Sequence, residues 1–133
     1  MSKNLFITGT GTDVGKTYVT GLILKKLREN NKNAAYFKVA MSGNQRRRDG
    51  SLAPGDALHV KTVSGIVQPV EEMCPYVYET AVSPHLAARI EGNPVDMDRV
   101  LTGFDAVCVK YDYVTAEGSG GILCPLRFDG QKI

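Results

Sequence analysis

The apolar and polar positions of this chain change period several times, and each change marks an element. Leu5 to Thr8 is a short apolar run ahead of glycines, the pattern of a buried parallel strand. Helical spacing follows: Val19, Ile23 and Leu27 share one face with Leu22 and Leu24 beside them, while Lys25, Lys26, Arg28 and Glu29 face out. Asn30 to Asn33 ends that helix. Ala34 to Ala40 is a second apolar strand, broken only by Lys38. The order strand, helix, strand points to a right-handed crossover and a parallel sheet.

Further along, Ser42 to Pro54 is polar and glycine-containing and reads as a long mobile loop. Asp56 precedes Ala57 to Val63, a short helix with Asp56 as its N-cap. Ser83-Pro84 is a helix start, with serine at the cap and proline in the first turn. Met97, Val100, Leu101, Phe104, Val107, Cys108 and Tyr111 fall on one helical face, which predicts a helix to about Lys110 despite the strand-like composition of Ala106 to Val109. Tyr113 to Ala116 is then a strand with Glu117 at its carboxyl end. Gly118 to Gly121 turns the chain, and Ile122 to Leu126 is expected to return as a strand.

The chemistry concentrates where the first strand meets the first helix. Phe6 to Thr17 is a strand end, a glycine-rich turn and Gly15-Lys16-Thr17 opening a helix. Such a turn aims backbone N–H groups at one spot, and the helix adds the positive end of its dipole. A lysine there reaches the outer phosphates of a nucleotide, and a following Thr places a hydroxyl on Mg²⁺. The pattern G-x-x-x-x-G-K-[ST] is imperfect, because Thr10 stands where its first glycine belongs. Ligands of an open parallel sheet bind beyond the carboxyl ends of its strands. Lys16, Thr17, Lys38, Ser42 and Glu117 all map to those ends. Thr17 and Glu117 are suitable oxygen partners for Mg²⁺. Asp56 reads equally well as a helix cap or a metal ligand, and Lys38 as a strand-end cation or a partner for an anion.

Composition narrows the class. With 133 residues, the chain has room for one core. A net charge of +2 gives no case for nucleic acid or a membrane surface, and Arg46-Arg47-Arg48 reads first as part of a solvated loop. Cys74, Cys108 and Cys124 form no C-x-x-C pair, so neither a disulfide framework nor zinc is indicated. No apolar run reaches membrane-spanning length and the first residues have no leader-like core, so a cytoplasmic location is expected. Ser83 with His85 does not form a nucleophile elbow, and His59 and His85 read as surface or capping residues. The expected fold is α/β: a single P-loop-type nucleotide-binding domain over residues 1–133, with an open parallel sheet flanked by helices and cut short on its C-terminal side, leaving an open edge.

Several motifs together resemble dethiobiotin synthetase, an ATP-dependent cyclo-ligase family. They are T-G-T-x-T-[DE]-V-G-K-T at Thr8 to Thr17, K-x-x-x-S-G at Lys38 to Gly43, G-D-A-L at Gly55 to Leu58, S-P-H-L-A-A at Ser83 to Ala88, and E-G-[AS]-G-G at Glu117 to Gly121. The related partition and septum-site ATPases carry a lysine where this chain has Gly11. The resemblance implies ATP and Mg²⁺ as cofactors, and 7,8-diaminononanoate and CO₂ as substrates. It implies that Gly11, Thr12, Asp13, Val14, Gly15, Lys16 and Thr17 cradle the phosphates, with Glu117 and Gly118 beside the nucleotide. Lys16 would act on the transferring phosphoryl group, and Thr17, Asp56 and Glu117 would hold Mg²⁺. Lys38 would neutralise a carbamate, and Thr12 and Ser42 would contact the carbamate and the diamine. A homodimer is implied for the full-length family member. Two departures stand out: Val39 replaces a frequent proline, and family members continue well beyond residue 133. The alternative expectations are a catalytically incomplete nucleotide-binding fragment, or a related P-loop ATPase or amidoligase.

Overall fold

A computed structural model describes residues 1–11 and 15–127. Its centre is a parallel sheet of β1 (Lys3–Ile7), β2 (Ala34–Phe37) and β7 (Tyr113–Glu117), in the order β1-β7-β2. The crossover through α1 (Lys16–Glu29) therefore skips one position, which the last strand fills. Register puts Leu5 and Tyr36 level with Thr115, and Ile7 level with Glu117. All three strands thus end at one rim.

Strand β2 shows why the sheet is covered on both faces. Its side chains alternate: Ala35 and Phe37 enter one core with Val107, Val114 and Tyr78, while Ala34 and Tyr36 enter the other with Leu24, Val60 and Met73. Helices α1 and α2 (Gly55–Ser64) cover the second face, and α4 (Met97–Lys110) covers the first, with Phe37 edge-on to Phe104 at 5.3 Å. The predicted helix to Lys110 is present, capped at its start by Asp96, whose carboxylate accepts from the Asp98 amide at 3.0 Å.

Several expectations fail in instructive ways. β1 is not buried: Leu5 and Phe6 are 47% and 58% exposed, because β1 is an edge strand without a further neighbour among the described residues. In α1 the buried stripe is Lys16, Thr20, Gly21 and Leu24; Val19 and Leu22 are exposed, since α2 packs against the small residues instead. Leu101, placed on the apolar face of α4, is also exposed. The segment Ser42 to Pro54 is not a plain loop but carries the two-strand hairpin β4 (Gln45–Arg46) with β5 (Leu52–Ala53), where Arg46 pairs with Glu79 at 2.6 Å. The run Ala34 to Ala40 is divided: β3 (Ala40–Met41) leaves the main sheet to pair in parallel with β6 (Tyr76–Val77). Ile122 to Leu126 forms turns rather than a strand. The helix α3 (Pro84–Ile90) starts after Ser83 as expected, although the Ser83 hydroxyl lies 3.1 Å from His85 Nδ1 and caps no amide.

Among the described residues, the outer edge of β2 has no strand partner either. There the buried Gln68 side chain substitutes for one: its Oε1 accepts from the Tyr36 amide at 2.7 Å and its Nε2 donates to the Tyr36 carbonyl at 3.0 Å.

Candidate functional site

The rim formed by the strand ends collects the ionic groups. Gly15 has φ +91, a left-handed conformation that favours glycine, and it turns the chain into α1. Lys16, at the first turn of that helix, is only 8% exposed, and its ammonium donates back to the Gly11 carbonyl. On the far side, the loop after β7 lies against the loop after β1: a Cβ on Gly121 would meet the Thr10 carbonyl oxygen at 3.1 Å. Gly118 continues the β1–β7 ladder by donating to the Ile7 carbonyl at 2.8 Å. Thr12, Asp13 and Val14 lie outside the described residues.

Glu117 is the hub. It is 3% exposed at the end of the central strand and uses both carboxylate oxygens. Oε1 accepts from Thr17 Oγ1 at 2.7 Å and from Lys38 Nζ at 3.3 Å, and Oε2 accepts from Tyr36 Oη at 2.6 Å. Lys38 also donates to Asp56 Oδ2 at 2.6 Å. Burial by itself would lower the Lys38 pKa, but the Glu117 and Asp56 carboxylates outweigh it and hold the ammonium above the ordinary lysine value. Burial first, and the neighbouring Glu117 charge second, push the Tyr36 phenol well above its ordinary value, so it stays a hydrogen-bond donor.

The capping role expected of Asp56 is overturned. α2 begins at Gly55 with Pro54 at the cap, and no side chain caps it. Asp56 sits in the first turn with its carboxylate turned to Lys38, which is where the helix dipole also favours it. The Lys38 charge lies between two carboxylates of the chain itself rather than in water.

An oxygen-rich donor set of this kind suits a hard divalent cation. Two oxygens bound cis on octahedral Mg²⁺ lie roughly 2.9 Å apart, given bonds of about 2.0–2.1 Å. Thr17 Oγ1 and Glu117 Oε1 are 2.7 Å apart, so the pair fits. Among the described residues no cluster of three or more His, Cys, Asp or Glu side chains could hold a metal alone. An ion here would need phosphate oxygens and water to complete its shell, as Mg²⁺ ordinarily has.

Beside this cluster opens a cleft of about 530 Å³ whose walls include Lys38, Ser42, Asp56, Ser83 and Ser119. Ser119 is held by donation to the Ala40 carbonyl at 2.6 Å. The predicted residues Lys16, Thr17, Lys38, Ser42, Asp56, Glu117 and Gly118 therefore gather at one rim. Sequence reasoning missed Tyr36, although it lies two residues before Lys38 on a strand and so shares its face. It also missed Gln68, for which no local pattern gives a signal.

The family model described as AAA domain matches residues 3–130. The chain belongs to the AAA-domain family. This AAA domain is similar along its whole length to curated relatives: it is 48% identical to the ATP-dependent dethiobiotin synthetase BioD of Clostridium botulinum strain Langeland, and 50% identical to that of Clostridium kluyveri. It spans 58% and 55% of the length of those two relatives. The phosphate-loop reading of Thr8 to Thr17 agrees with the family. Among the described residues, no helix of the AAA domain is long and apolar enough to cross a membrane.

Proposed function

We propose that this protein takes part in the ATP- and Mg²⁺-dependent conversion of 7,8-diaminononanoate and CO₂ to dethiobiotin. The observation that carries the reading is the buried Lys38 between Asp56 and Glu117, next to Thr17 at the mouth of a polar cleft. The names of the relatives support the choice of substrates.

In this reading the loop backbone from Gly11 to Thr17, together with the N-terminus of α1, receives the nucleotide phosphates. Lys16 leaves the Gly11 carbonyl and places its charge on the transferring phosphoryl group. Thr17, Asp56 and Glu117 hold Mg²⁺, which offsets phosphate charge when bound. The diamine lies in the cleft, where one amine takes up CO₂ and loses a proton to become a carbamate. Lys38 neutralises that carbamate, and Thr12 and Ser42 hold it and the diamine in place. A carbamate oxygen attacks the γ-phosphorus, ADP leaves, and a carbamic–phosphoric anhydride remains. The second amine then attacks the carbonyl carbon, the ring closes, and phosphate departs with the surplus proton retained by solvent. Positioning and charge do the catalytic work, with no covalent enzyme intermediate. A cytoplasmic homodimer belongs to the same reading.

A second reading is a nucleotide-binding module without turnover. Phosphate release from Mg-ATP with bicarbonate, measured with and without the diamine, separates the two. Release that needs the diamine and disappears in Lys16→Ala supports the ligase. Nucleotide binding without release supports the module. Release indifferent to the diamine points to another P-loop ATPase.

A further inference from the structure

Tyr36 is completely buried, and its phenol donates to the oxygen of Glu117 that neither Thr17 nor Lys38 touches. Register explains the reach. Tyr36 is level with Thr115, so Glu117 is its diagonal neighbour toward the strand ends, on the same face of the sheet. The residue is also fixed along its backbone, because the Gln68 side chain holds both its amide and its carbonyl. Leu24, Val60 and Met73, all fully buried, belong to the core around the ring. The phenol therefore has little freedom to follow Glu117, and Glu117 must orient to the phenol.

We propose that Tyr36 is a positioning residue for the metal-binding carboxylate: its hydroxyl occupies one oxygen of Glu117 and so presents the other toward Thr17 and the cation. This inference rests on the metal reading given above. A carboxylate with one oxygen engaged by Tyr36 and the other shared by Thr17 and Lys38 presents a single oxygen for monodentate binding. Outer partners of this kind fix the orientation of a ligand without touching the ion. Tyr36 serves as such a partner through a hydrogen bond that no water-exposed residue could keep as rigid.

The test uses Mn²⁺ as the probe, titrated into the whole chain with the β,γ-imido analogue of ATP and followed by the electron paramagnetic resonance of the free ion. Tyr36→Phe keeps the ring and removes the hydroxyl, and Mn²⁺ affinity is expected to fall roughly 10- to 100-fold. Affinity for the same nucleotide in EDTA stays at the wild-type value, which a general loss of structure would not allow. In a Glu117→Gln background, Tyr36→Phe produces no further loss of Mn²⁺ affinity, because the effect passes through the carboxylate. meta-Fluorotyrosine at position 36 keeps the hydroxyl and retains tight binding. The proposal is overturned if Tyr36→Phe leaves Mn²⁺ affinity unchanged, weakens metal-free nucleotide binding by the same factor, or fails to bind nucleotide at all. A wild-type protein that binds the nucleotide but takes up no Mn²⁺ overturns the metal reading and this inference together.

Discussion

A buried ammonium between two carboxylates is stable only while all three charges stay in place. Lys38 holds that position between Asp56 and Glu117, which are the groups a divalent cation would use. In the proposed function, Lys38 and the metal would therefore compete for the same carboxylates. Lys38→Met is expected to tighten nucleotide-bound Mn²⁺ roughly tenfold, equivalent to about 1.4 kcal/mol, while lowering diamine-dependent phosphate release by a larger factor. Isothermal titration beside a phosphate assay reads both. Cys74 supplies a pH dependence of different origin. Burial pushes its thiol from 9.0 up to about 12. The folded state thus keeps a proton that the unfolded chain gives up, so the associated stability is intact below pH 9.0 and gone above about 12. Urea midpoints should fall across that window, and less steeply in Cys74→Ala. At this scale the sequence showed which residue types stood at the strand ends. It did not show that Asp56 pairs with Lys38, since the two are joined only once α2 docks beside β2.

At the scale of elements, caps and edges carry the energetics. Gln68 satisfies the amide and the carbonyl of Tyr36 at the outer edge of β2. Gln68→Leu leaves a buried donor and a buried acceptor without partners and is expected to cost about 2–6 kcal/mol, at about 1–3 for each unsatisfied group. Asp96→Ala removes the exposed cap of α4 and should cost only about 1 kcal/mol. Urea unfolding compares the two directly. Helix α4 was legible because its apolar spacing persists over several turns and tertiary packing agrees with it. The stripe on α1 was misread because Thr20 and Gly21, which score poorly as apolar residues, are small enough to let α2 approach. Ile122 to Leu126 was misread because apolar composition alone does not supply a strand partner.

For the molecule as a whole, burial is distributed unevenly across the sheet. Phe37 lies 3% exposed between β2 and α4, whereas Phe6 on edge strand β1 is 58% exposed. Phe37→Ala should therefore cost about 3–5 kcal/mol, and Phe6→Ala a small fraction of that, as denaturant midpoints would register. The sequence by itself determined the phosphate loop, the helices at α1 and α4, the parallel character of the sheet, and the set of polar residues at its rim. Those features are written in local spacing and in residue chemistry. Only the tertiary structure decided that β7 enters between β1 and β2, and this insertion is what brings Glu117 within hydrogen-bond reach of both Thr17 and Lys38. It likewise decided the hydrogen bond from Tyr36 to Glu117, because a phenol's partner depends on register between strands far apart in the chain. Strand order and register follow from the summed packing of both faces, and no short stretch of sequence contains that sum.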